Sequence, residues 1–198
     1  MESDLPTLRS TVDESPITAL MVASRMGAVL AVAELAERAG SSIDVQSAAG
    51  CTALYLASEE GEEEAVRALL SHGANVNLAA SDGSTCLQRA TLFGHVACAR
   101  LLLEGSADVD AMDSVGWSSL MRSSQNGMVE CVQLLLDANA DVAVAGIEGW
   151  NSLMASCQNG QAACTQMLLR AGAAVDAPKK DGVTSLIARW ALRGRVAG

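Results

Sequence analysis

Five glycines, Gly50, Gly83, Gly116, Gly149 and Gly182, recur at intervals of 33 residues. A second glycine series (Gly61, Gly94, Gly127, Gly160) and a leucine series (Leu54, Leu87, Leu120, Leu153, Leu186) keep the same interval. Three series in one register mark a tandem array. Each unit of such an array leaves an apolar face that only a neighbour can cover, so stability is a sum over units and interfaces. Function is then expected on the surface that stacking creates, not in a buried pocket.

Aligned on these series, the units read GCTALYLASEEG (50–61), GSTCLQRATLFG (83–94), GWSSLMRSSQNG (116–127), GWNSLMASCQNG (149–160) and GVTSLIARWALR (182–193). The opening glycine permits a tight turn at positive φ. Two residues on stands Thr52, Thr85, Ser118, Asn151 or Thr184, residue types whose side-chain oxygen caps a helix N-terminus. A short Ala/Ser-rich helix follows, and the second glycine series ends it as a C-cap. A longer helix with one apolar side is expected next, in AVRALLSHGA (65–74), CARLLLEGSA (98–107), CVQLLLDANA (131–140) and CTQMLLRAGA (164–173). It closes at Gly73, Ser106, Asn139 and Gly172; of these Ser106 suits a left-handed cap least. A short extended piece (ANVNL, ADVDA, ADVAV, AAVDA) leads to the next turn.

This series resembles the ankyrin repeat, whose pattern runs roughly D-x-x-G-x-T-P-L-H-x-A-x-x-x-G-H, then a leucine-rich helix and G-A-D-V-N. The resemblance implies an all-α solenoid of helix-turn-helix units with β-turn or hairpin loops. Its divisions are a flexible lead-in (1–15), a degenerate first repeat (16–48), repeats 49–81, 82–114, 115–147 and 148–180, and a partial last repeat (181–198). In the first repeat Thr18-Ala-Leu20 echoes Thr52-Ala-Leu54, Gly27 takes the part of Gly61, and Pro16 replaces the turn glycine. In the last, Arg189 and Trp190 stand where other repeats carry small residues, which argues for a cap over a fragment of a longer array. The family's Thr-Pro-Leu-His is altered in every unit: the proline and the histidine are absent, which removes stabilisation worth on the order of 1 kcal/mol per helix start. Asn77 alone keeps the family's loop asparagine, a position where hydroxylation is a minor regulatory option; Asp110, Ala143 and Asp176 occupy the others.

The chain of 198 residues has a formal charge of −10, and its only five aromatic residues suit Ala/Leu/Val layers between thin helices. Residues 1–178 carry 22 acids against 8 bases, whereas residues 179–198 carry Asp181 against five bases. An acidic body disfavours nucleic acid, which needs cations opposite its phosphates. No apolar run reaches the roughly 18 residues of a membrane span, so no membrane partner is expected. The acidic start lacks the plan of a secretory signal. The expectation is an intracellular monomer, cytoplasmic with nuclear placement open. The run Glu59-Glu60-Gly61-Glu62-Glu63-Glu64 reads as a solvated edge, or else as a docking patch for a basic segment.

Cys98, Cys131 and Cys164 form a fourth series at the same spacing. Equivalent positions on stacked helices lie roughly 8–10 Å apart, beyond the roughly 7 Å that disulfide Cα atoms tolerate. No C-x-x-C pair offers zinc a tetrahedral site either. Each takes the first inward slot of its longer helix, held by Ala65 one unit earlier, as a small apolar residue would. Six thiols without a framework suit a reducing compartment. Neither His72 nor His95 sits in a catalytic constellation, so no enzyme activity, metal or cofactor is expected.

The resemblance implies that a partner protein binds along turn tips and the exposed side of the short helices. The tip after each turn glycine is Cys51, Ser84, Trp117, Trp150 or Val183. Trp117 and Trp150 should project side by side, either packing turn on turn or anchoring a partner. Arg89 and Arg122 lie beside them, and the residues before the helix-ending glycine are Glu59-Glu60, Leu92-Phe93, Gln125-Asn126 and Gln158-Asn159. Repeats 83–160 are the expected contact surface, with Phe93 facing solvent. The leading reading is an adaptor, scaffold or inhibitor. One alternative is a regulatory repeat domain of a larger enzyme or channel assembly; another is a thiol-based metal or redox sensor.

Overall fold

The structure, a computed structural model, describes residues 18–177. The lead-in 1–15, Pro16, and the partial repeat with Gly182, Thr184, Leu186, Arg189 and Trp190 lie outside the described residues. Ten α-helices are found among those described: α1 (Ala19–Arg25), α2 (Val29–Ala39), α3 (Ala53–Glu60), α4 (Glu63–Ser71), α5 (Cys86–Leu92), α6 (Val96–Glu104), α7 (Ser119–Asn126), α8 (Val129–Asp137), α9 (Ser152–Gln158) and α10 (Ala162–Arg170). The one β feature among the described residues is an isolated antiparallel bridge between Met112 and Ser118.

Among the described residues two compact units emerge, one running up to Ala90 and including Ala97–Ala107, the other made of Thr91–Val96 and the residues from Asp108 on. In the first, α1 packs on α3 and α2 on α4. In the second, α7 packs on α9 and α8 on α10. Two leucine series supply the fully buried layers: Leu54, Leu87, Leu120 and Leu153 from the shorter helices, and Leu69, Leu102, Leu135 and Leu168 from their partners. Each of these burials is worth roughly 1.5–3 kcal/mol. Ala65, Cys98, Cys131 and Cys164 are all buried in the expected inward slot.

Every expected N-cap in the described chain works. The side chains of Thr18, Thr52, Ser118 and Asn151 accept from the amide three residues on, at 3.1, 3.1, 3.3 and 2.9 Å. Thr85 goes further: it accepts from the Gln88 amide while Gln88 Oε1 accepts from the Thr85 amide at 2.9 Å. That is a reciprocal capping box. Gln88 stands where the resemblance implies a lost histidine, and so does Tyr55, whose hydroxyl bonds Ser84 of the next turn at 2.8 Å. Gln88 thus adds a bond at its own helix start, and Tyr55 adds one between neighbouring turns. Met121 and Met154 fill the same slot as buried apolar residues.

Three other expectations need correction. The second helices begin earlier than the leucine pattern alone suggests, at Glu63, Val96, Val129 and Ala162, and at nine residues they barely exceed their seven- or eight-residue partners. Their starts carry no side-chain cap at Glu62, Met128 or Gln161. The piece expected to be extended is a turn: the amides of Asn77, Asp110 and Ala143 donate to the side chains of Asn75, Asp108 and Asp141. These Asx turns interlock at 31-residue separation, Asp44 accepting from the Asn75 amide and Asp110 from the Asp141 amide, both at 3.0 Å. Finally, Ser106 adopts the left-handed conformation its neighbours in the series require, with φ of 67°, as does Asn139 at 62°.

A β-carbon in that conformation costs roughly 1–2 kcal/mol, partly offset by glycine's greater unfolded entropy. Ser106→Gly is expected to stabilise the protein by about 0.5–1 kcal/mol in urea unfolding. The hydroxyls of Ser119 and Ser124 are buried without a hydrogen-bond partner, so Ser124→Ala should also stabilise, by about 1 kcal/mol. A loss of stability in either variant contradicts the packing described.

Candidate protein-binding surface

The expected strip falls partly in each unit. In the first, Tyr55 is almost fully buried, and its ring carries the Arg89 guanidinium 5.5 Å from the centroid. Arg89 is ion-paired with Glu59, and both side chains are about three-quarters covered. Glu60 pairs with Arg25 at 3.1 Å, and Glu63 and Glu64 both reach Arg67, at 2.8 and 3.6 Å. Glu62 lies over Gly27, where a β-carbon would come within 2.0 Å of its carboxylate. The acidic run keeps the solvent contact of an edge at Glu60 and Glu64, and four of its five carboxylates are engaged by arginines of the same unit. Exposed pairs of this kind are worth about 0–1 kcal/mol each.

The same unit ties its turns together through polar side chains. Gln46 Nε2 donates to the carbonyl of Gly50 at 2.7 Å and to that of Ala79 at 2.9 Å. The Ser81 amide donates to Ala49, and Ser84 donates to Asp82. Burial, opposed by the Ser84 bond and the Arg89 charge, pushes the Tyr55 phenol up to about 12.

In the second unit, the turn before α7 is organised by Asp113. One carboxylate oxygen accepts from the amides of Val115 and Trp117, at 3.1 and 2.8 Å. The other accepts from Arg122 Nε and Nη2, at 3.2 and 2.5 Å. The guanidinium so held rests over the Trp117 ring, 5.2 Å from its centroid. Trp117 and Trp150 stack with centroids 6.3 Å apart and an interplanar angle of 26°. Both indoles are partly exposed. The turns meet through backbone: a β-carbon on Gly146 would lie 2.2 Å from the Gly116 carbonyl oxygen, and one on Gly116 would lie 2.7 Å from the Ile147 nitrogen. Only glycine allows this approach, which brings the indoles within stacking reach.

The remaining expected residues are more dispersed. Phe93 is 49% exposed and faces the His95 ring at 6.3 Å. Leu92 is half-buried. Asn126, Gln158 and Asn159 are exposed, and Gln125 is half-buried with its carbonyl accepting from Asn159 and Gln161. Asn77 donates to the Ser106 carbonyl at 3.2 Å. The tip positions alone did not single out Asp113, Val115 or Ile147. The Asp-x-x-Gly spacing of Asp113 and Gly116, an Asx-turn signature, was the available signal for the first.

All six cysteines are free thiols, and five are buried. Burial raises each of them, Cys86 to about 12 and Cys98 and Cys131 to about 11. No group of three metal-ligating side chains occurs among the described residues. No described helix is long and apolar enough to cross a membrane.

Two outcomes are expected. Tyr55 is the sole tyrosine, so tyrosinate absorbance reads it directly. Its raised folded value favours the neutral phenol, a contribution complete below about pH 10 and lost as pH climbs towards 12. Titration near 10 while helical dichroism persists would contradict its burial. Gly146→Ala should cost about 1–3 kcal/mol by overpacking and should weaken the exciton signal of the stacked indoles. An unaffected exciton signal would mean the turns do not set the stacking.

A family model of the ankyrin repeat matches the chain in three copies, over residues 6–80, 78–145 and 120–195. No curated protein matches it. With the match running across nearly its whole length and the paired helices and turns in place, the chain belongs to the ankyrin-repeat family, whose repeats generally serve as protein-interaction modules.

Proposed function

We propose that this protein works as an adaptor, scaffold or inhibitor that binds a partner protein, and that the surface around Trp117, Trp150 and Arg122 makes the contact. One observation carries the reading: two part-exposed indoles and a guanidinium are held in fixed geometry by Asp113 and by glycine-only turn contacts. Trp and Arg dominate binding hot spots, and a preformed arrangement spares the ordering cost of association. Arg89, fixed by Glu59 on Tyr55, offers a comparable element in the first unit. Phe93, Leu92, Gln125, Asn126, Gln158, Asn159 and Glu60 are further candidates within their own units. Raised thiols argue against a sensing role for the cysteines, since the thiolate is the reactive and metal-binding form. Free thiols throughout support placement in a reducing compartment.

The test begins with affinity capture by the wild-type protein and identification of what is held. Substituting Trp117, Trp150 and Arg122 together with alanine is expected to weaken that interaction by about 2 kcal/mol or more, roughly thirtyfold, with helical dichroism retained. Undiminished binding would place the contact elsewhere on the protein.

A further inference from the structure

We propose that the cleft between the two turn tips of the second unit is an anchor site for a linear partner segment that sets a bulky aliphatic side chain beside a lysine or arginine. The proposal rests on the protein-binding reading and names the chemistry of the partner.

The cleft encloses about 370 Å³, at the small end of the range for ligand sites and suited to a side chain or two. Val115 on one turn and Ile147 on the next form its lips, 56% and 58% exposed. Trp117 and Trp150 also line it. Its floor is the close approach of Gly116 and Gly146, where no side chain can grow. Branched aliphatic residues exposed together at loop tips do nothing for the core, and clustered exposed apolar surface marks interaction sites. The turn tips of the first unit lack this character, carrying Ala48-Ala49 and Ser81-Asp82.

Charge selects the second element of the ligand. Glu148 sits in the lining, is exposed, and makes no ion pair among the described residues. Residues 108–177 hold eight acidic side chains against Arg122 and Arg170, a formal charge of −6, which the five bases and one acid of residues 179–198 reduce to −2 for the sequence from Asp108 on. Arg122 is already bound by Asp113, and Arg170 lies in the last turn of α10. An acidic or phosphorylated segment would meet net repulsion here, whereas a cation beside the anchored side chain reaches Glu148 in a favourable field. The lining holds no cation to meet the phosphates of a nucleotide.

A random linear-peptide library displayed on phage, selected on the full chain, tests this. The enriched sequences are expected to share an aliphatic residue adjoining Lys or Arg. Binding of a synthetic representative should fall about tenfold with Ile147→Asp, which breaks the apolar lip. It should fall about five- to tenfold with Glu148→Lys at low salt, and less at high salt. Both positions are exposed, so unchanged thermal melts will show that the fold is intact. Reselection on the Glu148→Lys variant should turn the preference towards acidic sequences. Enrichment of acidic peptides on the wild type, or of peptides indifferent to both substitutions, overturns the proposal. So does failure to enrich any peptide while partner capture still depends on Trp117, Trp150 and Arg122, a result that leaves the broader function standing.

Discussion

Helices of seven to eleven residues are too short to persist alone in water, where roughly 12–15 residues are marginal even for the best formers. What holds them here is the turn, which fixes where each begins and which neighbour it meets. Thr18, Thr52, Thr85, Ser118 and Asn151 satisfy amides that the first turn of a helix leaves open. The left-handed residue near each helix end then reverses the chain, even at Ser106 and Asn139, where the side chain resists it. Side-chain burial follows from that geometry: two leucines per repeat enter the layer between helices because the turns deliver them there.

The same constraint shapes the proposed binding surface. Where turns of the second unit touch backbone to backbone through Gly116 and Gly146, side chains on either side are forced into one another's reach. The indole stack is one result, and the exposed Val115–Ile147 pair is another. Asp113 then fixes Arg122 against the first ring, so that the arrangement stands before any partner arrives. In the first unit a different set of side chains does comparable work: Gln46 spans two turns, and Tyr55, Ser84 and Asp82 form a hydrogen-bonded chain.

Periodicity made the helical pairs, their caps, the left-handed positions and the inward cysteines legible before any coordinates, because each is a local requirement repeated every 33 residues. It was blind to what differs between repeats. Two ion pairs of the acidic run were out of its sight because their arginines come from elsewhere: Arg25 meets Glu60 across 35 residues and Arg89 meets Glu59 across 30. Tyr55 and Gln88 looked like losses against the family pattern, yet each supplies a hydrogen bond of its own kind. Val115 and Ile147 escaped notice because they occupy different positions in their repeats and converge only when the turns are folded.

If stability is a sum over repeats fixed by their turns, the second unit should accept one more. Duplicating residues 115–147 in tandem would set a copy of α7 and α8 against faces matched to receive it. The expected result is a folded protein whose helical signal and urea m-value both rise by about the share of one repeat. A chain that gains no helix, with the inserted residues open to protease, would show that this unit rests on a single closed core.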